Sequence, residues 1–132
     1  LNGWNKVHFY GWVDRKKIAN IFAKSKMGLV LFLPVPNHLD SRPNKMFEYM
    51  SASLPIVASD FKKWKEIIDK NKCGITVDPT SPKDIASGIQ YIIDNPLEAK
   101  KMGENGREAV ENKYNWSKEK KKLISLYKKI LN

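Results

Sequence analysis

The chain contains little that could cross-link it, anchor it in a membrane or bind a metal ion. Cys73 is its only cysteine, which excludes an intrachain disulfide and is consistent with a reducing compartment. No apolar run approaches the roughly 18 residues of a membrane-spanning helix, and the first residues do not form a signal peptide. Metal-binding Cys/His spacing, a P-loop and a G-x-G-x-x-G motif are all missing. We therefore expect a cytoplasmic protein with no cofactor and no metal.

Positive charge, by contrast, is abundant. The 132 residues include 24 Lys and Arg against 14 Asp and Glu, a formal net charge of +10. Such a charge attracts nucleic acid, nucleotide phosphates or an anionic membrane surface. The lysines are scattered over the predicted helices and are not interleaved with exposed aromatic residues. Of these three partners, nucleic acid is therefore the one that the sequence favours least. The length and a hydrophobic content of 42% suit one folded domain.

Short apolar runs alternate with amphipathic patterns along the chain. Strands are predicted at residues 7–10, within 27–34, at 54–59 and at 74–77, since each run is short, apolar and bounded by turn residues. Helices are predicted between and after them, with Asp14, Asp60 and Ser81 as N-caps and Pro96 opening another helix. This alternation predicts an α/β fold with at least four parallel strands and about six helices.

The most informative stretch follows the second predicted strand. Pro43 suits the first turn of a helix, with Ser41 or Arg42 near the cap position. The free amides of Asn44, Lys45 and Met46 and the helix dipole would then favour an anion such as a phosphate, and Lys45 adds a full charge. Loops that leave the carboxyl end of a parallel strand are where open α/β sheets bind ligands.

Acidic residues in this stretch are spaced in a recognisable way. Asp40 and Glu48 bracket seven residues, and Glu48 lies off the apolar stripe of its helix, which is formed by Met46, Phe47, Met50 and Leu54. On spacing alone, the pair is more often two solvated surface acids than a site. The context of strand, loop, proline-started helix and second strand favours the functional interpretation.

The strand, the two acids with seven residues between them, the helix and the following "LPIVASDF" together resemble one known domain. It is the C-terminal domain of retaining, nucleotide-sugar-dependent glycosyltransferases of the group 1 type, glycosyltransferase family four. The resemblance extends from "VHFYGWV" at residues 7–13 through "CGITVDP" at 73–79 to "YNW" at 114–116. It implies a Rossmann-like C-terminal half of the GT-B fold, with a parallel sheet of about four strands flanked by helices. Residues 1–132 would be part of this nucleotide-sugar-binding domain, since two further strands with an Arg and a Lys that grip the diphosphate do not occur here.

Specific roles follow from the resemblance. Glu48 matches the Glu that hydrogen-bonds the ribose hydroxyls, and Asp40 stands where a catalytic Glu approaches the donor sugar. Gly11 matches the turn whose backbone lies near the base. Side chains replace a glycine-rich backbone at the diphosphate, which would be bound by Ser41, Arg42, Asn44 and Lys45.

The resemblance also implies partners. These are a nucleotide-sugar donor, a polysaccharide or glycolipid acceptor of the cell envelope and the N-terminal GT-B domain of a longer parent chain, without which these residues alone would be inactive. A chain that begins with Leu1 fits that expectation. The competing hypotheses are a noncatalytic basic module that binds nucleic acid or an anionic membrane, and the similar sugar-nucleotide epimerases, whose acid and base groups are not identifiable here.

The last predicted helix is basic and amphipathic. Its apolar side is formed by Leu123, Ile124, Leu126, Tyr127, Ile130 and Leu131, and lysines supply most of the rest. Such a helix can lie on the inner face of an anionic membrane as a peripheral contact. More often it is docked on protein, and the resemblance favours docking toward the partner domain.

Overall fold

The computed structural model describes residues 2–131. A short 3-10 turn at Trp4–Lys6 precedes the first helix. The helices are α1 (Arg15–Lys24), α2 (Pro36–Leu39), α3 (Asn44–Ser51), α4 (Lys62–Asn71), α5 (Pro82–Asp94), α6 (Pro96–Asn112) and α7 (Trp116–Leu131), and the strands are β1 (Gly28–Val30), β2 (Ile56–Ser59) and β3 (Gly74–Val77).

Local chemistry explains where several helices begin. The carboxylate of Asp14 accepts a hydrogen bond of 2.7 Å from the backbone N–H of Lys17 and so caps α1. The hydroxyl of Ser81 accepts one of 3.2 Å from the N–H of Asp84 at the start of α5. Both caps are confirmed. Asp60 does not cap α4, because Phe61 occupies the cap position and no side chain bonds there.

The three strands form one parallel sheet in the order β1-β2-β3. Gly28 of β1 pairs with Ile56 of β2, and Val57 of β2 pairs with Ile75 of β3. All four residues of the central strand β2 are buried, as expected for a parallel strand covered on both faces. The predicted α/β class, with a parallel sheet flanked by helices, is confirmed.

The predicted strand at residues 7–10 is not formed. This segment is exposed, and it pairs with no other strand among residues 2–131. Its apolar residues have the composition of a strand, but a strand needs a neighbour to receive its backbone hydrogen bonds. The sheet therefore has three strands rather than about four.

Helices cover the two faces of the sheet. On one face α3, α4 and α6 bury Met46, Met50, Trp64, Ile68 and Cys73 against the strands. On the other face α5 and the start of α6 pack Ile92 and Ala99 against the strand residues Val57 and Val77. Burial raises the pKa of the Cys73 thiol to about 11, which fits the predicted structural role of this cysteine.

The last helix is not docked on the rest of the chain. Every residue of α7 is exposed, including the six apolar residues of its apolar side. Docking toward the partner domain concerns a domain outside residues 2–131 and stays a prediction. No helix in that range is long and apolar enough to cross a membrane.

Candidate functional site

The candidate site lies where β1 and β2 end. Parallel strands present their carboxyl ends at one edge of the sheet, so the loop from β1 to α3 and the loop from β2 to α4 lie next to each other. The predicted order of strand, loop, helix and second strand is confirmed. The four-residue helix α2 within the first loop was not predicted.

Ser59 connects the two strand ends. Its hydroxyl is fully buried, accepts a 2.9 Å hydrogen bond from the backbone N–H of Phe32 and donates one of 2.9 Å to the carbonyl of Phe32. Phe32 lies two residues beyond the last residue of β1. The two bonds continue the link between the strands past the end of the ladder and fix the first residues of the loop.

Aromatic side chains hold the next part of this loop. The Phe32 ring meets the ring of His38 edge-on at 4.7 Å and that of Trp64 at 5.6 Å. Trp64, buried at the start of α4, donates from its indole N–H to the carbonyl of Ser41 at 2.7 Å. Helix α4 therefore sets the position of the backbone just before α3.

The start of α3 differs in detail from the prediction. Pro43 itself is the cap residue, with φ of −68°, and no side chain caps the helix. Ser41 instead donates its hydroxyl to the carbonyl of His38 at 2.8 Å, so neither Ser41 nor Arg42 is the cap. The N–H of Met46 donates to the carbonyl of Pro43 at 3.1 Å. The amides of Asn44 and Lys45, the other two that were predicted to be free, have no acceptor among residues 2–131.

Lys45 brings a positive charge to this helix start. Its ammonium lies 4.6 Å from the centroid of the Phe32 ring, a cation–π geometry. Partial burial lowers the pKa of Lys45 because the charged form loses hydration. The ammonium is thus held against the loop, over the Phe32 ring.

Asp40 is already paired. Its carboxylate lies 2.8 Å from the ammonium of Lys63, and both side chains are largely exposed. The hydrogen bond and charge of Lys63 lower the pKa of Asp40, so this carboxylate is ionised at neutral pH. Lys63 was missed in the sequence. The signal that could have found it is the pair Lys62-Lys63 opening a helix directly after β2, at the same edge of the sheet as Asp40.

Glu48 lies in the second turn of α3 and faces away from the core. Its side chain is 46% exposed, and a carboxylate oxygen lies 3.7 Å from a guanidinium nitrogen of Arg15. It lines a groove of about 530 Å³ between α1 and α3, whose other walls include Ile18, Phe22 and Ser51. The prediction that packing does not require Glu48 is confirmed, whereas Arg15 as its partner was not predicted.

Two predicted residues stay apart from this cluster. Arg42 is exposed, with no ion pair among the described residues. Gly11 has a φ of +65°, in the region that favours glycine, and the space around it is open. Asp40 and Ser41 lie on the loop before α3, Asn44 and Lys45 lie at the start of α3, and Glu48 lies one turn further along it.

Comparison with known proteins identifies the family. The sequence matches the family described as "Glycosyl transferases group 1" over residues 1–109. The chain belongs to this family. The resemblance found in the sequence is confirmed at this level.

Individual relatives extend the match along this group 1 domain. An uncharacterized glycosyltransferase of Methanocaldococcus jannaschii is 25% identical over 97% of this chain and 32% of its own length. An alpha-1,3/1,6-mannosyltransferase of Dictyostelium discoideum is 30% identical over 76% of this chain and 23% of its own length. The chain thus spans about a third or less of these curated relatives.

A solved structure supports the fold of the group 1 domain. Sucrose-phosphate synthase from Thermosynechococcus elongatus matches with a TM-score of 0.84 at 25% identity, over 98% of this chain and 31% of that one. The three-stranded parallel sheet flanked by helices corresponds to a GT-B Rossmann-like fold.

Proposed function

We propose that this chain is the donor-binding, C-terminal domain of a retaining glycosyltransferase. The complete enzyme would transfer a hexose from a nucleotide-sugar to a polysaccharide or glycolipid acceptor, with an N-terminal GT-B domain supplying the acceptor side. Assignment to glycosyltransferase family four and a cytoplasmic location are part of this proposal. The observation that carries it is the half-exposed carboxylate of Glu48, in a groove along the second half of α3, on the helix whose start offers two free amides and a lysine.

The start of α3 supports the role of diphosphate site. The amides of Asn44 and Lys45, the positive end of the helix dipole and the Lys45 ammonium all favour a negative group. Negative charge grows on the leaving diphosphate as its bond to the anomeric carbon breaks. Donors that are already oriented stabilise that charge without reorganising. Ser41 and Arg42 lie on the loop just before these groups.

The groove between α1 and α3 supports the role of nucleoside site. Its volume of about 530 Å³ is in the range of small-molecule pockets, roughly 300–1,000 Å³. A carboxylate is an acceptor for two hydroxyl groups at once, which suits the vicinal hydroxyls of a ribose. Glu48 lies on the wall of this groove, with Arg15 beside it. Gly11 is the proposed backbone contact for the base.

Asp40 is the proposed catalytic residue beside the donor sugar. It is ionised, and Lys63 holds its carboxylate near the start of α4. A carboxylate there would accept hydrogen bonds from sugar hydroxyls and stabilise positive charge that develops at the anomeric carbon. Lys63 would set its position, and no metal is part of the proposed chemistry.

The transferred group is proposed to be a hexose. A mannosyltransferase and a sucrose-phosphate synthase are among the proteins that this chain matches, and both names refer to hexose chemistry. The polysaccharide or glycolipid acceptor rests on the resemblance alone.

Titration of the 132-residue chain with uridine diphosphate and guanosine diphosphate, followed by NMR chemical shifts, tests donor binding. We expect shifts at Asn44, Lys45 and Glu48 with one of the two nucleotides. Glu48→Gln should weaken its affinity about tenfold, because a hydrogen bond to a charged group contributes about 1.5 kcal/mol or more. Glu108→Gln, an exposed acid on α6, is the matched control and should bind as the parent chain does.

Two results would contradict the proposal. Equal affinity of the parent chain and Glu48→Gln would remove Glu48 from the site. Binding to nucleic acid with a steep salt dependence, and to neither nucleotide, would instead favour the noncatalytic basic module.

A further inference from the structure

The groove between α1 and α3 has few side chains that can form hydrogen bonds. Of the described residues that line it, Arg15, Glu48 and Ser51 are polar, and the others, such as Ile18 and Phe22, are apolar. A ligand in a mainly apolar groove is oriented by its few polar groups. These three side chains are therefore the ones that can distinguish one base from another.

Only one of the three side chains has a donor to offer. The hydroxyl of Ser51 donates to the carbonyl of Phe47 at 2.8 Å within its own helix, which leaves only its oxygen lone pairs for a ligand. The carboxylate of Glu48 has acceptor oxygens alone. Among the described side chains of the groove, the guanidinium of Arg15 is thus the only one with N–H groups for a base.

Arg15 is well placed to meet a base. It begins α1, directly after the cap residue Asp14 and four positions after the turn at Gly11, which is the proposed base contact. Glu48, the proposed ribose contact, lies 3.7 Å from a guanidinium nitrogen of Arg15, a separation longer than a hydrogen bond. The side chain of Arg15 is 92% exposed and forms no hydrogen bond among residues 2–131. Its N–H groups are therefore open to a ligand.

The four common bases differ in how well they match such a donor. A guanidinium offers a pair of parallel N–H groups and no acceptor, so it fits a base edge with adjacent acceptors. Guanine has this edge, formed by O6 and N7. On the same edge adenine presents N7 beside an amino donor, cytosine presents an amino donor, and uracil presents O4 as a single acceptor. The donor-only chemistry of Arg15 therefore favours guanine.

We propose that Arg15 selects the base of the donor nucleotide and that the donor is a sugar activated by guanosine diphosphate. The guanidinium donates to O6 and N7 of guanine, while Glu48 accepts from the ribose hydroxyls. Arg15 has this role only if the groove is the proposed nucleoside site, on which the assignment rests.

Calorimetric titration of the 132-residue chain with nucleoside diphosphates tests the choice of base. GDP should bind about tenfold or more tightly than ADP, CDP and UDP, because a bidentate contact from arginine distinguishes guanine by about that factor. Inosine diphosphate keeps both O6 and N7 and should bind within about threefold of GDP. The 7-deaza analogue of GDP lacks N7 and should bind about tenfold more weakly than GDP.

Three variants at the start of α1 separate base contact from charge. Arg15→Met should weaken GDP binding about tenfold and ADP binding less than about threefold, so that the preference for guanine is lost. Arg15→Lys keeps the charge but loses the planar pair of donors, and it should lose most of the preference as well. Lys16→Met, the matched control, removes the same charge at the next exposed residue and should leave the ratio of GDP to ADP affinity unchanged.

Failure of this assignment can be told apart from failure of the donor site. If no nucleotide binds, the groove is not a nucleoside site, and the proposed function and the role of Arg15 are both wrong. If the nucleotides bind with equal affinity, if UDP binds most tightly, or if the preference for GDP survives Arg15→Met, only the assignment to Arg15 is overturned.

Discussion

Trp12 and Trp64 show how differently the two parts of this chain use the same residue. Trp64 is fully buried on α4, meets the Phe32 and Phe61 rings and donates to the carbonyl of Ser41. Trp12 is 102% exposed in the segment before α1. The sheet with α3 to α6 thus contains a closed core, whereas residues 4–12 and α7 present apolar side chains outward.

This contrast teaches that apolar content does not by itself identify a core. Residues 7–10 have a strand-like composition but no partner strand within the described chain, and α7 is strongly amphipathic but its apolar side is exposed. The packed part also carries the candidate site, so stability and the proposed nucleotide binding would depend on the same contacts. Three pairs of substitutions test how sharply the closely packed positions differ from the exposed or loosely packed ones.

The two tryptophans should give the largest difference. Trp64→Ala should reduce the free energy of unfolding by about 3–5 kcal/mol, because it leaves a cavity and removes the contact to Ser41. Trp12→Ala should change it by no more than about 0.5 kcal/mol. Urea unfolding followed by circular dichroism measures both. Similar losses would mean that residues 4–12 contribute to the core after all.

Two glycines on one helix should give an intermediate difference. A Cβ at Gly103 would overlap the backbone carbonyl oxygen of Ser53, a residue with a φ of 58°. A Cβ at Gly106 would lie 3.3 Å from a side-chain atom of Cys73 and 3.4 Å from one of Met50. Gly103→Ala should therefore destabilise by about 1–3 kcal/mol. In Gly106→Ala the gain of about 1 kcal/mol in helix propensity offsets the tighter packing, and little net change is expected.

Thermal unfolding of the two glycine variants provides the measurement. A loss in Gly106→Ala as large as that in Gly103→Ala would show that α3 and α6 are equally intolerant along their whole contact. Such a result would contradict the view that α6 approaches the neighbouring backbone closely only at Gly103 and Ser53.

The two serines should give the smallest difference. Ser59→Ala leaves the partly buried N–H and carbonyl of Phe32 without their partner and should cost about 1 kcal/mol. Ser87→Ala, an exposed residue whose hydroxyl donates only to the carbonyl of Lys83 in its own helix, should be within about 0.5 kcal/mol of the parent chain. Hydrogen exchange at the Phe32 amide measures the local effect directly. Unchanged protection in Ser59→Ala would contradict the role of this serine in fixing the loop.

Much of the fold could be predicted from the sequence because it depends on residues that are close together in the chain. The caps at Asp14 and Ser81, the core stripe of α4 and the short strand at residues 74–77 follow from periodicity and turn chemistry over a few residues. The predictions were wrong where the structure depends on contact with another segment of the chain. Asp60 is a good cap residue by type, but the loop geometry places Phe61 at the cap instead.

The candidate site divides in the same way. Spacing and resemblance selected Asp40 and Glu48 and the helix start between them. The ion pair with Lys63, the contact of Glu48 with Arg15 and the indole bond of Trp64 to Ser41 join residues 23 to 33 positions apart in the chain. No local pattern specifies such pairs, since they depend on how α1 and α4 pack beside α3.

The order of residues alone thus decided most of the helices and strands, the parallel α/β class and the acids of the candidate site, because each is a property of a few consecutive positions. Folding in three dimensions decided which strands pair, which apolar faces are covered and which cations meet Asp40 and Glu48. These outcomes depend on a partner from elsewhere in the chain, and a hydrogen bond, an ion pair or a buried face forms only when that partner is in place.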